Sequence, residues 1–112
     1  MQQYKIKINE LAEQDLENAG DYIAVVLLNP SAAENTVKGI REQVNKLRYF
    51  PDSHELDEDP MLAELGVRKI YFKEYKIFFV IDESTKTVYV IRILHMLVDS
   101  KAWLYRTFGI VE

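Results

Sequence analysis

The feature that most constrains the fold is a stretch near the C-terminus in which two apolar runs flank a polar hexad. Residues 76–81 read KIFFVI, residues 88–98 read VYVIRILHMLV, and the hexad DESTKT lies between them. Runs of this kind, separated by a turn-forming segment, predict two neighbouring β-strands, and residues 68–75 predict a third before them. Because strands this apolar are buried on much of both faces, other parts of the chain must cover them.

The N-terminal half supplies one strand and two amphipathic helices. Residues 4–8, YKIKI, alternate apolar and basic side chains, which predicts a half-buried edge strand with Lys5 and Lys7 pointing outward. Asn9 is then a candidate N-cap, after which apolar side chains recur at helical spacing. This first stripe comprises Ala12, Leu16, Ala19, Ile23 and Val26, and it is widened by Tyr22 and Leu27.

Prolines mark the ends of the helical segments. Asn29-Pro30 ends the first helix and begins the second, because proline suits the first helical position and restricts the residue before it. Phe50-Pro51 predicts the end of the second helix, and the acidic residues 51–64 predict a long loop. Ser100 is the candidate cap of a short final helix that ends at Gly109. The second stripe comprises Ala33, Val37, Ile40, Val44 and Leu47, so the two helices suit a hairpin lying on the sheet.

Length and composition restrict the class of protein. A chain of 112 residues without cysteine is expected to form a single domain, residues 1–112, that has its own core and neither disulfides nor thiolate metal sites. We expect no metal and no cofactor. The N-terminus lacks the apolar segment of a signal peptide, and no run approaches the roughly 20 apolar residues that span a bilayer. A soluble cytoplasmic protein without a membrane partner is therefore expected.

Charge is distributed unevenly along the chain. The net charge is −4, yet residues 1–64 carry 6 basic and 13 acidic side chains, whereas residues 65–112 carry 8 basic and 5 acidic ones. The predicted sheet is therefore the only candidate surface for an anionic partner. Helices with acidic solvent-facing sides would explain the imbalance equally well.

Basic residues of the predicted strands are candidates for chemistry. Arg68, Lys76 and Arg92 are expected to converge on one accessible patch, where cations hold phosphate and stabilise charge developing on it. His95, on the same predicted face as Ile91, is a candidate general acid or base. The alternatives are a solvated basic face and a hydrogen-bonded structural histidine. Candidate base-stacking and target-binding residues near these cations are Tyr71, Lys73 and Tyr75.

The three strand segments resemble the RelE/ParE superfamily of bacterial toxins, which includes ParE-like plasmid stabilisation proteins. The resemblance rests on Gly66-Val67-Arg68, Tyr75-Lys76-Ile77-Phe78-Phe79 and Arg92-Ile93-Leu94-His95, in this order after two helices. It implies an α+β fold, β-α-α-β-β-β, with a helical hairpin on a small, mainly antiparallel sheet and a short C-terminal helix. It also implies the toxin of a type II toxin–antitoxin system, neutralised by a cognate antitoxin.

The resemblance implies two different targets. One branch of the superfamily cleaves mRNA on the translating ribosome without a metal, and the other poisons DNA gyrase. Arg68 and Arg92 match basic positions of the family pattern. Lys76 stands where arginine is common, which keeps the charge but loses the bidentate geometry. His95 matches a histidine that is frequent in ParE-like members. After this histidine the family often has Gly-Arg-Arg-Asp, whereas here the chain reads Met96-Leu97-Val98-Asp99. The two expected arginines, at Leu97 and Val98, are thus replaced by apolar side chains, which removes two phosphate contacts. An apolar surface here suits a protein partner, with Met96 and Leu97 as candidate target-binding residues.

We therefore expect a ParE-like toxin that inhibits growth through a protein target such as DNA gyrase. The enzymatic alternative is a metal-independent mRNA interferase on the ribosome, in which Arg68, Lys76 and Arg92 hold the scissile phosphate and His95 transfers a proton. A further alternative is a toxin-derived binding protein that has lost its toxicity.

Overall fold

Four strands form one mixed sheet in the computed structural model, which describes residues 3–111. The strands are β1 (Lys5–Ile8), β2 (Arg68–Phe72), β3 (Tyr75–Asp82) and β4 (Thr87–His95). Their spatial order is β1-β4-β3-β2; β1 runs parallel to β4, and the other two pairs are antiparallel. The predicted α+β class, the mainly antiparallel sheet and the edge position of the first strand are confirmed.

Helices precede and follow the three C-terminal strands. They are α1 (Glu10–Asp21), α2 (Pro30–Lys46), α3 (Pro60–Glu64) and α4 (Ser100–Phe108). The first two form the predicted hairpin. The segment 51–64, predicted to be a loop, contains a 3-10 turn at Pro51–Ser53 and the short helix α3. Both begin at a proline, which fits the first position of a helix.

The first helix changes pitch near its C-terminal end. Residues Tyr22–Val26 form a π-helical turn, in which the N–H of Leu27 donates to the carbonyl of Tyr22 at 3.1 Å. A wider turn moves the residues that follow out of phase with a stripe of 3.6-residue period. Ile23 remains buried, whereas Tyr22, Val26 and Leu27 are exposed. Their predicted place in the buried stripe is therefore wrong.

The caps of the helices agree with the sequence in part. Asn9 occupies the N-cap position of α1, although its side chain makes no capping hydrogen bond. Helix α4 is capped by Asp99 and not by the predicted Ser100, because the Asp99 carboxylate accepts the N–H of Ala102 at 3.2 Å. Gly109, with φ 69°, ends α4 as predicted, since glycine tolerates the left-handed conformation.

Helices cover both faces of the sheet, as its apolar strands require. The adjacent residues Phe78 and Phe79 are both fully buried, but they lie on opposite faces. Phe79 packs beneath α1 and α2, in what we call the hairpin layer. Phe78 packs with Leu62 of α3 and Leu104 of α4, in what we call the outer layer.

A β-bulge exchanges the two faces along β4. Neighbouring residues of β3 pair with Val90 and Arg92, which leaves Ile91 without an opposite residue. Val90 before the bulge and Ile93 after it both belong to the hairpin layer, although regular alternation would separate them. His95 likewise pairs with a residue of the hairpin layer, while Ile91 belongs to the outer layer. The predicted common face of His95 and Ile91 is therefore wrong.

Candidate functional site

Arg92 is held inside an ion pair. It is 6% exposed, and its Nε and one Nη donate to the two carboxylate oxygens of Asp15 at 2.7 Å each. The other Nη donates to the hydroxyl of Thr107 at 3.1 Å, and the guanidinium carbon lies 5.0 Å from the centre of the Trp103 ring. The guanidinium is thus occupied by residues of α1 and α4, so a phosphate would have to displace them.

Arg68 and Lys76 lie on opposite faces of the sheet. Arg68 pairs across the strands with Phe79 of the hairpin layer, and its guanidinium donates to the carbonyl of His54. Lys76 pairs with Leu94 of the outer layer. The structure therefore does not bring the three expected cations to one patch, because two of them are on different faces and the third is neutralised.

His95 lies beside a small apolar pocket at the end of β4. Its Nδ1 accepts the N–H of Leu97 at 3.1 Å, so the neutral ring carries its proton on Nε2. The ring meets Tyr75 edge-on, with 5.3 Å between ring centres. Burial, with a smaller contribution from the Glu74 carboxylate, raises the pKa of Tyr75 above its ordinary value of 10.0. The pocket measures about 370 Å³ and is lined by Asn18, Ala19, Tyr22, Tyr75, His95, Leu97 and Val98.

The expected target-binding residues differ in accessibility. Tyr71 is 55% exposed, and Lys73 lies in the exposed turn between β2 and β3. Tyr75 is only 6% exposed, which leaves little of its ring for stacking on a base. Met96 and Leu97 are exposed directly after β4, as an apolar contact surface requires.

Large apolar side chains are also exposed at the tip of the helical hairpin. Leu28 is 82% exposed and has φ 53°, a left-handed conformation that is unfavourable for leucine. Tyr22, at the beginning of this segment, lines the same pocket as Leu97, so the tip and the segment after β4 are neighbours. We call the combined set the tip surface: Tyr22, Val25, Val26, Leu27, Leu28, Met96 and Leu97.

The sequence contained a signal for this surface. Residues 25–28 read VVLL, and four consecutive apolar residues cannot all face one side of a helix. The sequence predicts the apolar character of Met96 and Leu97 but places Tyr22, Val26 and Leu27 in the buried stripe, because residue types do not reveal the π-helical turn.

A second pocket, of about 460 Å³, lies on the outer face. Its charged lining consists of Lys69, Lys76 and Lys101 together with Asp57, Glu58, Asp59 and Asp99. Within residues 3–111, no group of three or more His, Cys, Asp or Glu side chains is placed to hold a metal ion. In the same part of the chain, no helix combines the length and apolar character that crossing a bilayer needs.

Comparison with known protein families identifies the relatives of this fold. A family model described as the ParE toxin of type II toxin-antitoxin system, parDE, matches residues 6–99. The chain belongs to this ParE family. The match extends from β1 to the residue that caps α4, so it includes the sheet, the hairpin and Leu97. No curated protein sequence matches the chain.

Solved toxin structures share the fold of this ParE-family chain. The chromosomal ParDE system from P. aeruginosa is 25% identical with a TM-score of 0.68, over 83% of this chain and 96% of that one. The RelBE2 toxin-antitoxin complex from Mycobacterium tuberculosis is 17% identical with a TM-score of 0.55, over 85% and 93%. An arginine double mutant of E. coli RelE in the free state is 13% identical with a TM-score of 0.64, over 97% and 99%.

Proposed function

We propose that this ParE-family toxin inhibits growth by binding a protein target, with DNA gyrase as the first candidate. The observation that supports the proposal is the tip surface. Leu28 and Leu97 are 82% and 86% exposed, and both lie within a set of neighbouring apolar residues. Contiguous exposed apolar surface of this kind marks protein interaction sites, since each apolar Å² removed from water contributes about 25 cal/mol.

The positions and pairing of the three strand cations, Arg68, Lys76 and Arg92, favour a protein target over mRNA. A nuclease site needs several cationic groups around one phosphate, because charge stabilisation supplies most of the rate in phosphoryl transfer. Here Arg92 is paired with Asp15, and Arg68 and Lys76 lie on opposite faces. His95 lies beside an apolar pocket that none of these three cations lines.

We further propose that a cognate antitoxin binds and neutralises the toxin. The P. aeruginosa relative is described as a ParDE toxin–antitoxin system, and the M. tuberculosis structure as a toxin-antitoxin complex. An antitoxin that covered the tip surface would remove exposed leucines from water and block the target at the same time. Copurification of this chain with the product of an adjacent small gene tests the partner directly.

Inducible expression without an antitoxin tests the target. We expect growth to stop and the purified protein to inhibit gyrase in a supercoiling assay. Leu97→Glu should weaken that inhibition at least about tenfold, the effect of losing roughly 1.4 kcal/mol of binding. Leu11→Glu is the matched control, because Leu11 is 50% exposed on α1 and lies outside the tip surface.

Two results would contradict the proposal. One is normal growth while the folded protein accumulates. The other is mRNA cleavage at ribosomal A-site codons, detected by primer extension, with gyrase unaffected. In the second case Arg68→Ala and His95→Ala would show whether the nuclease uses the residues that the family resemblance implies.

A further inference from the structure

The pocket of about 460 Å³ on the outer face, which we call the outer pocket, contains carboxylates that pair with its lysines. The Lys69 ammonium donates a hydrogen bond to Glu58 and lies 3.5 Å from the Asp57 carboxylate. Its side chain is 13% exposed. Lys101 lies 3.5 Å from Asp59, whose carboxylate also accepts the hydroxyl of Tyr105 at 2.8 Å. Two of the three lysines are therefore engaged by carboxylates of the segment between the 3-10 turn and α3.

Backbone contacts hold this acidic segment in place. The N–H of Asp57 donates to the carbonyl of Val67 at 2.8 Å, and the Asp57 carboxylate accepts the N–H of Asp59 at 2.9 Å. The Asp59 carboxylate in turn caps α3 by accepting the N–H of Leu62 at 3.2 Å. Glu58 differs from Asp57 and Asp59 because its side chain is 82% exposed while it pairs with Lys69.

Lys76 is the remaining cation of the pocket. It makes no ion pair with any residue between 3 and 111, and its charge is among those that lower the pKa of Glu58, after the hydrogen bond and charge of Lys69. A phosphate approaching Lys76 would therefore meet the Glu58 carboxylate. At 4 Å two like charges repel by about 1 kcal/mol in water and about 4 kcal/mol at the effective dielectric of a protein surface.

The pocket as a whole is not cationic. It contains three ammonium groups and four carboxylates, although β2 and β3 place two of the lysines in the position where a basic strand face would hold phosphates. Nucleic-acid binding depends on uncompensated cations, because its free energy comes largely from the counterions that each neutralised phosphate releases. Neutralising Lys69 within the protein removes one such cation.

We propose that Glu58, positioned by the Asp57 segment, is a specificity determinant that excludes nucleic-acid phosphates from the lysine-lined outer pocket. This inference rests on the proposed function and deepens it. Because Glu58 prevents RNA from binding to the lysines of the sheet, the toxin binds protein partners only. In this role Glu58 excludes phosphates by its charge and takes no direct part in any reaction.

Charge reversal at Glu58 tests the proposal. We would measure the binding of a fluorescein-labelled 12-nucleotide single-stranded RNA by anisotropy, at several salt concentrations. Glu58→Lys should bind at least tenfold more tightly than the unsubstituted protein. The slope of log affinity against log salt should become steeper by about 0.7 for each additional phosphate that the variant neutralises. Adding Lys76→Ala to Glu58→Lys should reverse most of the increase in affinity.

Glu64→Lys is the matched control, since it changes the net charge equally at an exposed residue that does not line the pocket. Equal increases for Glu58→Lys and Glu64→Lys would overturn the proposal, because the effect would then follow net charge alone. Tight RNA binding by the unsubstituted protein would overturn it as well. Growth and supercoiling assays test the proposed function separately. If the protein does not inhibit growth or gyrase but Glu58→Lys selectively increases RNA affinity, RNA exclusion still holds. If the protein inhibits gyrase but Glu58→Lys does not increase RNA affinity, only RNA exclusion is refuted.

Discussion

Asp15 and Arg92 join the two layers of the protein across the open side of β4. The Asp15 carboxylate accepts two guanidinium N–H groups at 2.7 Å and the backbone N–H of Ile93 at 3.0 Å. Strand β1 pairs with β4 only as far as Val90, so beyond that point a side chain of α1 replaces a strand as the hydrogen-bond partner. Through Thr107 the same guanidinium also contacts α4.

Removing the Asp15 carboxylate should therefore destabilise the fold strongly. We expect Asp15→Ala to lower the free energy of unfolding by about 3–5 kcal/mol, because it leaves a buried guanidinium without a counter-charge. Urea denaturation measures the change. Glu13→Ala is the control, since Glu13 forms an exposed ion pair with Arg41 and should lose about 1 kcal/mol or less. Similar losses for the two variants would show that the ion pair of Arg92 does not support the fold.

Gly39 gives α2 room for an aromatic ring. A Cβ at this position would lie 2.1 Å from Cζ of Phe72, so Gly39→Ala requires the ring or the helix to move. We expect destabilisation by about 1–3 kcal/mol, the usual cost of overpacking, although alanine in an exposed helix would gain about 1 kcal/mol. Thermal unfolding measures the loss. Combining Gly39→Ala with Phe72→Leu should recover part of it, and strict additivity of the two substitutions would contradict the steric explanation.

Leu28 lowers the stability of the isolated chain in two ways. Its apolar side chain is exposed, and its backbone has a left-handed conformation. Leu28→Asn should therefore raise the free energy of unfolding by about 0.5–1 kcal/mol, because asparagine tolerates this conformation better than leucine. Leu28→Val should lower it, since β-branched residues tolerate it worst. The same asparagine variant should bind the antitoxin or the target more weakly. A stability loss for Leu28→Asn would show that the leucine packs within the chain.

The Glu58–Lys69 pair should contribute to the pH dependence of stability. The hydrogen bond from Lys69 lowers the pKa of Glu58 below its ordinary value of 4.5. The stabilisation is therefore present above pH 4.5 and is lost as the pH falls through the lowered value, where the folded state takes up the proton. Unfolding free energies of the unsubstituted protein and Glu58→Gln should thus differ at neutral pH and converge in acid. A difference that stays constant with pH would refute this assignment.

Lys69 provides the complementary effect in base. Burial acts to lower its pKa, but the hydrogen bond to Glu58 and the charge of Asp57 outweigh it and hold the pKa above the ordinary value of 10.5. This contribution is present below pH 10.5 and is lost as the pH rises through the raised value. The unfolding free energy of Lys69→Gln should accordingly show a weaker decline in strong base.

The order and type of the elements could be predicted because they depend on local patterns. The alternation in residues 4–8, the helical spacing of the two stripes and the break at Pro30 each act within a few residues of sequence. The exposure of Val26 could not be predicted in this way, because a π-helical turn changes the phase of a stripe without altering its composition.

The arrangement of the candidate site depended on information that is not local. Whether Arg68 and Lys76 share a face follows from strand register, which hydrogen bonds between distant segments determine. The partner of Arg92 is separated from it by 77 positions in the sequence, so no pattern around either residue could reveal the pair. The exposed apolar character of Leu97 was predictable, because it followed from the residue types present after His95.

The extra residue in β4, Ile91, determines which face of the sheet carries Arg92. If β4 kept Ile91 but had no bulge, regular alternation from Val90 would turn Arg92 toward the hairpin layer, which is apolar. The bulge therefore separates an arginine that contacts α1 and α4 from one whose charge would lie in the apolar core. A sequence alignment of this fold that is shifted by one position after the bulge would match side chains that lie on opposite faces of the sheet.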